Sequence, residues 1–141
     1  TNLSIAKELY IKKNTDKGPQ LQKITASNVL KVGDLVTVRL IITSKEDMEF
    51  IHLKDMRASC FEPVDVLSGF EYKGGLGFYK STKDAATYFF FNQINKWTYV
   101  LEYDIRVNNT GNFSNGISTI QSMYATEYTS HTKGIRVKSI E

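Results

Sequence analysis

The chain has 141 residues, 41% of them hydrophobic and 12% aromatic, with a formal net charge of +3. That is enough apolar material for one core of ordinary domain size and too much for a disordered segment. Its 18 basic residues are interspersed with 15 acidic ones, so no basic stripe marks a nucleic-acid binder, and no apolar run approaches the ~20 residues of a membrane-spanning helix.

Residues 3–13 open the chain with Leu3 and Ile5 alternating, then Leu9 and Ile11. Ala-Lys-Glu-Leu between them has helical propensity, but the alternation favours a strand. Asp16-Lys17-Gly18-Pro19 reads as a turn, residues 21–24 as a short strand, and Lys31-Val32-Gly33-Asp34 as a second tight turn. Residues 35–43 carry the clearest strand of the first half. Val36, Val38, Leu40 and Ile42 share one face, with Thr37, Arg39 and Thr43 opposite. After a charged turn at residues 44–47, residues 48–55 return as a strand with Ile51 and Leu53 facing inward.

Gly74-Gly75-Leu76-Gly77 predicts a hairpin before a strand over 78–81, and residues 84–91 form another strand ending in Tyr88-Phe89-Phe90-Phe91. The strongest signal runs from Trp97. Tyr99, Leu101, Tyr103, Ile105 and Val107 point one way, and Thr98, Glu102, Asp104 and Arg106 the other. The polar stretch 108–116 reads as a turn, residues 117–124 as the returning strand, and residues 135–140 as the last. Short strands at this spacing, with no segment of helical period, predict an antiparallel β-sandwich of about eight to ten strands in a single domain over 1–141.

The candidate chemistry is thin. Cys60 stands alone, so no internal disulfide is possible. With His52 or His131 it suggests a nucleophile and base, but a lone Cys among apolar residues ordinarily packs as a small hydrophobe. The two histidines have no metal-ligand spacing, and strand-flanking acids such as Asp47, Asp55 and Asp84 are ordinarily solvated. The glycine run lacks the Lys-Ser/Thr ending of a phosphate loop. No Gly-x-Ser-x-Gly context for a hydrolase occurs. The expectation is therefore no catalytic residue, no metal and no cofactor. Asp104 and Arg106, two apart on one strand face, suggest a surface ion pair. Trp97, Tyr99 and the run 88–91 suggest an aromatic platform for sugars, which would make the chain a carbohydrate-binding module. Alternate members of such a run must face the core, so core packing is the simpler reading.

Four pieces together resemble the C-terminal macroglobulin-like domain of bacterial alpha-2-macroglobulins, the receptor-binding-like module. They are Gly33-Asp34-Leu35-Val36-Thr37-Val38, the element over 50–62 with Asp55 and Glu62 in its acidic places, Asp84 before the aromatic run, and the signature Tyr103-x-x-Arg106, Gly111-x-Phe113, Met123-Tyr124. The resemblance runs from about residue 33 to 140, and residues 1–32 are expected outside it as an extra strand segment. It implies an immunoglobulin-like sandwich with Asp55, Asp84, Tyr103, Arg106, Gly111 and Phe113 in structural places. It further implies a non-catalytic module of a bacterial periplasmic or envelope-associated protease trap, packing on other domains of its parent chain. Target proteases would be met through the full-length protein. Met123 and Tyr124 would make the interdomain contact that helps shield a thioester, with ordinary core packing as the alternative. Cys60 is followed by Phe61-Glu62-Pro63 and cannot be the thioester cysteine. The missing initiator Met and the lack of a visible signal peptide point to an excised or processed piece.

Overall fold

The computed structural model describes residues 2–25, 28–64, 69–73, 75–83, 85–125 and 127–141. Its strands are β1 (Leu3–Thr15), β2 (Gly18–Lys23), β3 (Val29–Lys31), β4 (Leu35–Ser44), β5 (Met48–Met56), β6 (Phe61–Pro63), β7 (Gly69–Lys73), β8 (Leu76–Thr82), β9 (Ala86–Ile94), β10 (Trp97–Val107), β11 (Gly111–Asn115), β12 (Ser118–Ser122), β13 (Thr129–His131) and β14 (Ile135–Ile140). No helix occurs among the described residues.

Two sheets make the sandwich. One has the order β2-β1-β4-β10-β6, the other β13-β12-β5-β9-β8-β7. A small third sheet, β11-β14-β3, closes one side. All pairings are antiparallel except β14 with β3, which run parallel. The described residues form fourteen strands where about eight to ten were expected. The strands not read from the sequence are β7, just before the glycine run, β11, and β3, β6 and β13, the last three with three residues each. Three residues are too few to show an alternation. β11 is a correction of another kind, since residues 108–116 were read as a turn. Its polar sequence carries no apolar signal, and its backbone groups pair with β14 from Gly111↔Ser139 to Asn115↔Ile135.

The long strands follow the inferred alternation. Val36, Val38, Leu40 and Ile42 of β4 are buried, as are Tyr99, Leu101, Ile105 and Val107 of β10, their neighbours across the ladder. Facing them from the other sheet are Ile51 and Leu53 of β5, Phe78 of β8, Phe89 and Phe91 of β9 and Ile120 of β12, in one cluster. Each fully buried side chain of this size adds about 1.5–3 kcal/mol relative to exposure. β1 is a strand, as its alternation suggested, and pairs with β4 from Leu3↔Ser44 to Lys12↔Leu35. Its inward positions are Leu3, Ile5, Lys7, Leu9 and Ile11. The lysine is the exception that organises the site described next.

Candidate functional site

A polar layer crosses the sandwich at the level of Lys7. The alternation of β1 turns Lys7 inward, and that of β5 does the same to Asp55. Their side chains are 1% and 0% exposed and meet at 2.6 Å. Nζ also donates to the carbonyls of Met56 (3.1 Å) and Gly116 (3.2 Å), so each of its three hydrogens has an acceptor. Asp55 Oδ1 accepts from Ser118 Oγ at 2.6 Å, and Oδ2 accepts from the Tyr103 hydroxyl. Burial, and then the Asp55 charge, hold the Tyr103 phenol well above its ordinary pKa of 10.0. Lys7 and Tyr103 belong to one sheet, Asp55 and Ser118 to the other. The cluster therefore ties the two sheets by charge-assisted hydrogen bonds, with the buried Lys80 5.7 Å from the Tyr103 ring and Arg57 donating to Thr87 at 2.9 Å nearby. Gly116 is required for this approach, since a Cβ there would stand 2.4 Å from that of Met56.

Other sequence-inferred positions fall elsewhere. Arg106 is exposed and donates to the carbonyl of Gly33 at 2.9 Å, anchoring the turn after β3. Asp104 pairs with Lys12 at 2.9 Å and accepts from Thr37 Oγ1 at 2.7 Å. The cross-strand neighbours thus take the partners, in place of the Asp104–Arg106 pair expected from spacing. Gly111 and Phe113 do meet. Gly111 has φ +138° and its missing Cβ leaves room for the Phe113 ring, which would lie 2.9 Å from it. Asp84 lies outside the described residues.

Cys60 is fully buried, and burial pushes its thiol up to about 11. At neutral pH it is a thiol packed among apolar neighbours. The aromatic run alternates as a strand must. Phe89 and Phe91 are buried, while Phe90 faces outward. Phe90 stacks on His52 at 4.7 Å and 10°, and His52 stacks on Tyr88 at 5.7 Å and 7°. Phe70 and Tyr79, farther along the same face, meet edge-on at 74°. Among the described residues the outer rings of this face thus pack on one another. Trp97 and Tyr99 part company: the first is 70% exposed and the second 7%.

The exposed end of the sandwich is a different kind of surface. β4 and β12 finish there, β5 starts there, and β9 turns into β10 there. Met123 is 56% exposed and Tyr124 81%, which removes the core-packing alternative for this pair. Beyond β12 the chain folds into a short loop. Met123 N–H donates to the Phe50 carbonyl at 2.9 Å, and Tyr128 N–H to Ala125 at 2.9 Å. The Tyr124 ring meets Phe50 edge to face, 5.1 Å between centroids and 88° between planes. Trp97 opens β10 next to the β9–β10 turn, where Lys96 N–H donates to Asp47 Oδ1 at 2.8 Å. The exposed Trp, Tyr, Met and Phe at this end are residue types enriched in interfaces, here interspersed with the exposed charges of Lys45, Glu46, Asp47, Glu49 and Lys96.

Phe50 itself is unusual, and sequence reasoning missed it. Its φ is +55°, the only positive φ at a non-glycine among the described residues. The left-handed conformation costs a bulky residue about 1–2 kcal/mol. It coincides with a skipped beat in the alternation. Met48 and Ile51 are both buried with Glu49 and Phe50 exposed between them, and Phe91 and Ile94 do the same on β9 opposite.

Comparison with known proteins agrees with this geometry. A search of curated proteins returned no match. Among solved structures, alpha-2-macroglobulin of Salmonella reacted with methylamine superposes with a TM-score of 0.77 at 16% identity, covering 100% of this chain and 9% of that one. Native Escherichia coli alpha-2-macroglobulin, spanning domain MG7 to the C-terminus, gives 0.74 at 14% identity, covering 100% and 24%. A non-cellulosomal cohesin from Archaeoglobus fulgidus gives 0.54 at 13% identity, covering 80% and 86%. This chain thus spans a small part of the macroglobulins it resembles. The family model of the bacterial alpha-2-macroglobulin MG10 domain matches residues 3–127. That range takes in β1, with its inward lysine, and runs through the Met123-Tyr124 loop. Because that match spans most of the sequence, the chain belongs to the bacterial alpha-2-macroglobulin MG10 domain family.

Proposed function

We propose that the chain is a non-catalytic docking module of a larger, protease-trapping macroglobulin. The end of the sandwich carrying Met123 and Tyr124 packs on a neighbouring domain of the parent chain and helps shield its thioester region. The domain shifts when a protease is caught. The parent works in the bacterial periplasm or envelope, and its partners outside the chain are target proteases. The observation that carries this reading is the exposure of Tyr124, an 81% exposed ring held edge-on against Phe50. A tyrosine offers a large apolar area and one hydrogen-bonding tip, a combination suited to an interface anchor. The polar layer fits the same role, because a module that moves as a body needs its two sheets tied.

The test is hydrogen exchange on the full-length parent protein. Tyr124→Ala is expected to speed exchange about ten-fold or more in one contiguous segment of a neighbouring domain. Exchange in β4 and β10 of this domain should stay as it was. Unchanged protection everywhere outside this domain would refute the docking role.

A further inference from the structure

We propose that Phe50 is the positioning residue of this docking surface: its left-handed backbone sets the Met123 amide, and its ring sets the orientation of Tyr124. The inference rests on the docking reading above and adds a residue that neither strand pattern nor motif pointed to.

Two separate observations meet at Phe50. The backbone has φ +55° where the alternation skips at 48–51, although β9 makes the same skip at Asn92 and Gln93 without a positive φ. Glycine or asparagine takes up this backbone with less strain. A phenylalanine is the costlier occupant. The residue is 40% exposed, so its side chain is only partly covered. What the ring does contact is Tyr124, edge to face. The Phe50 carbonyl meanwhile accepts the Met123 N–H, one step past the last paired residues, Ser122↔Ile51. One strained residue therefore holds the loop by its backbone and the anchor ring by its side chain. An 81% exposed tyrosine without such a support would sample several rotamers, and fixing it only on docking would weaken the contact.

This arrangement makes stability and docking respond in opposite directions. Phe50→Asn relaxes the left-handed strain and removes the ring. Phe50→Tyr keeps both the strain and the ring. The measurement is hydrogen exchange on the full-length parent protein carrying Phe50→Asn, Phe50→Tyr or Tyr124→Ala. Phe50→Asn is expected to deprotect the same neighbouring-domain segment as Tyr124→Ala, by about three- to ten-fold. The amides of β4 and β10 should exchange no faster than in the native protein, or more slowly. Phe50→Tyr should match the native protein throughout. The inference is overturned if Tyr124→Ala deprotects the neighbouring segment and Phe50→Asn does not. It is also overturned if Phe50→Asn speeds exchange in β4 and β10 in parallel, since the ring would then be a packing residue of this fold. If Tyr124→Ala leaves all neighbouring segments protected, the docking reading itself fails and this inference goes with it.

Discussion

His52 shows how a single side chain on an outer face acquires a pH dependence. Its imidazole lies between the rings of Phe90 and Tyr88, and its Nε2 is buried without a hydrogen-bond partner. Burial first, and the Lys54 charge second, lower its pKa below the ordinary 6.5. A histidine depressed in this way is neutral in the folded state while the unfolded chain already takes up a proton. Stability is therefore fully present above about pH 6.5 and falls as the pH drops toward the folded-state value. His52→Phe keeps the stacked ring and removes the proton site. Denaturant unfolding at pH 7 and pH 5 should show the native chain losing more stability than the variant over that interval. An equal loss in both would mean that His52 is not the group responsible.

At the scale of the elements, the question is what holds β1 and β10 against β5 and β12. Most of the answer is apolar contact, which has no preferred register. The Lys7–Asp55 pair, with Ser118 and Tyr103 on the same carboxylate, is directional and admits one alignment. Desolvating two charges this fully offsets most of their attraction, so the intact pair adds little net stability, while breaking it strands a buried charge. Asp55→Ala should accordingly cost about 3–5 kcal/mol in equilibrium denaturation. The double variant Lys7→Met with Asp55→Leu removes the stranded lysine charge and should recover part of that loss, the rest being the Ser118 and Tyr103 hydroxyls left without their acceptor. If the double variant is as unstable as the single one, the stranded lysine charge is not the source of the loss.

For the whole molecule, the two sheets present unlike outer surfaces. The face of β1, β4 and β10 is a ladder of charges, with Arg39 bonded to Glu102 at 2.6 Å and its guanidinium 4.4 Å above the Tyr10 ring. Such exposed pairs contribute about 0–1 kcal/mol each and keep that face wet. The end with Trp97, Phe50, Met123 and Tyr124 is the contrasting, aromatic surface. Trp97 is the sole tryptophan and is 70% exposed, so it reports on that end directly. In the 141-residue chain its fluorescence emission should lie close to that of the unfolded chain. A strongly blue-shifted native emission would place Trp97 in an apolar site and remove it from the free surface.

The two layers are written in the local residue pattern. Alternation in residues 35–43 and 97–107 exists because one sheet face is dry and the other wet, and that local pattern survives in any all-β packing. The family was legible as well, and the match over residues 3–127 agrees with it. Lys7 left a trace too, as the polar break between Ile5 and Leu9 in an otherwise apolar inward row, but no local rule names its partner 48 positions away. The three-residue strands and the polar β11 left none, since their pairing depends on backbone groups that every residue carries. Only the tertiary structure decided that Asp55 is a buried ion and not a solvated one, that Met123 and Tyr124 face water, and that Phe50 turns left-handed beneath them. Each of these depends on which distant atoms fill the space beside a residue, and that is a property of the folded neighbourhood that the residue's own place in the chain does not encode.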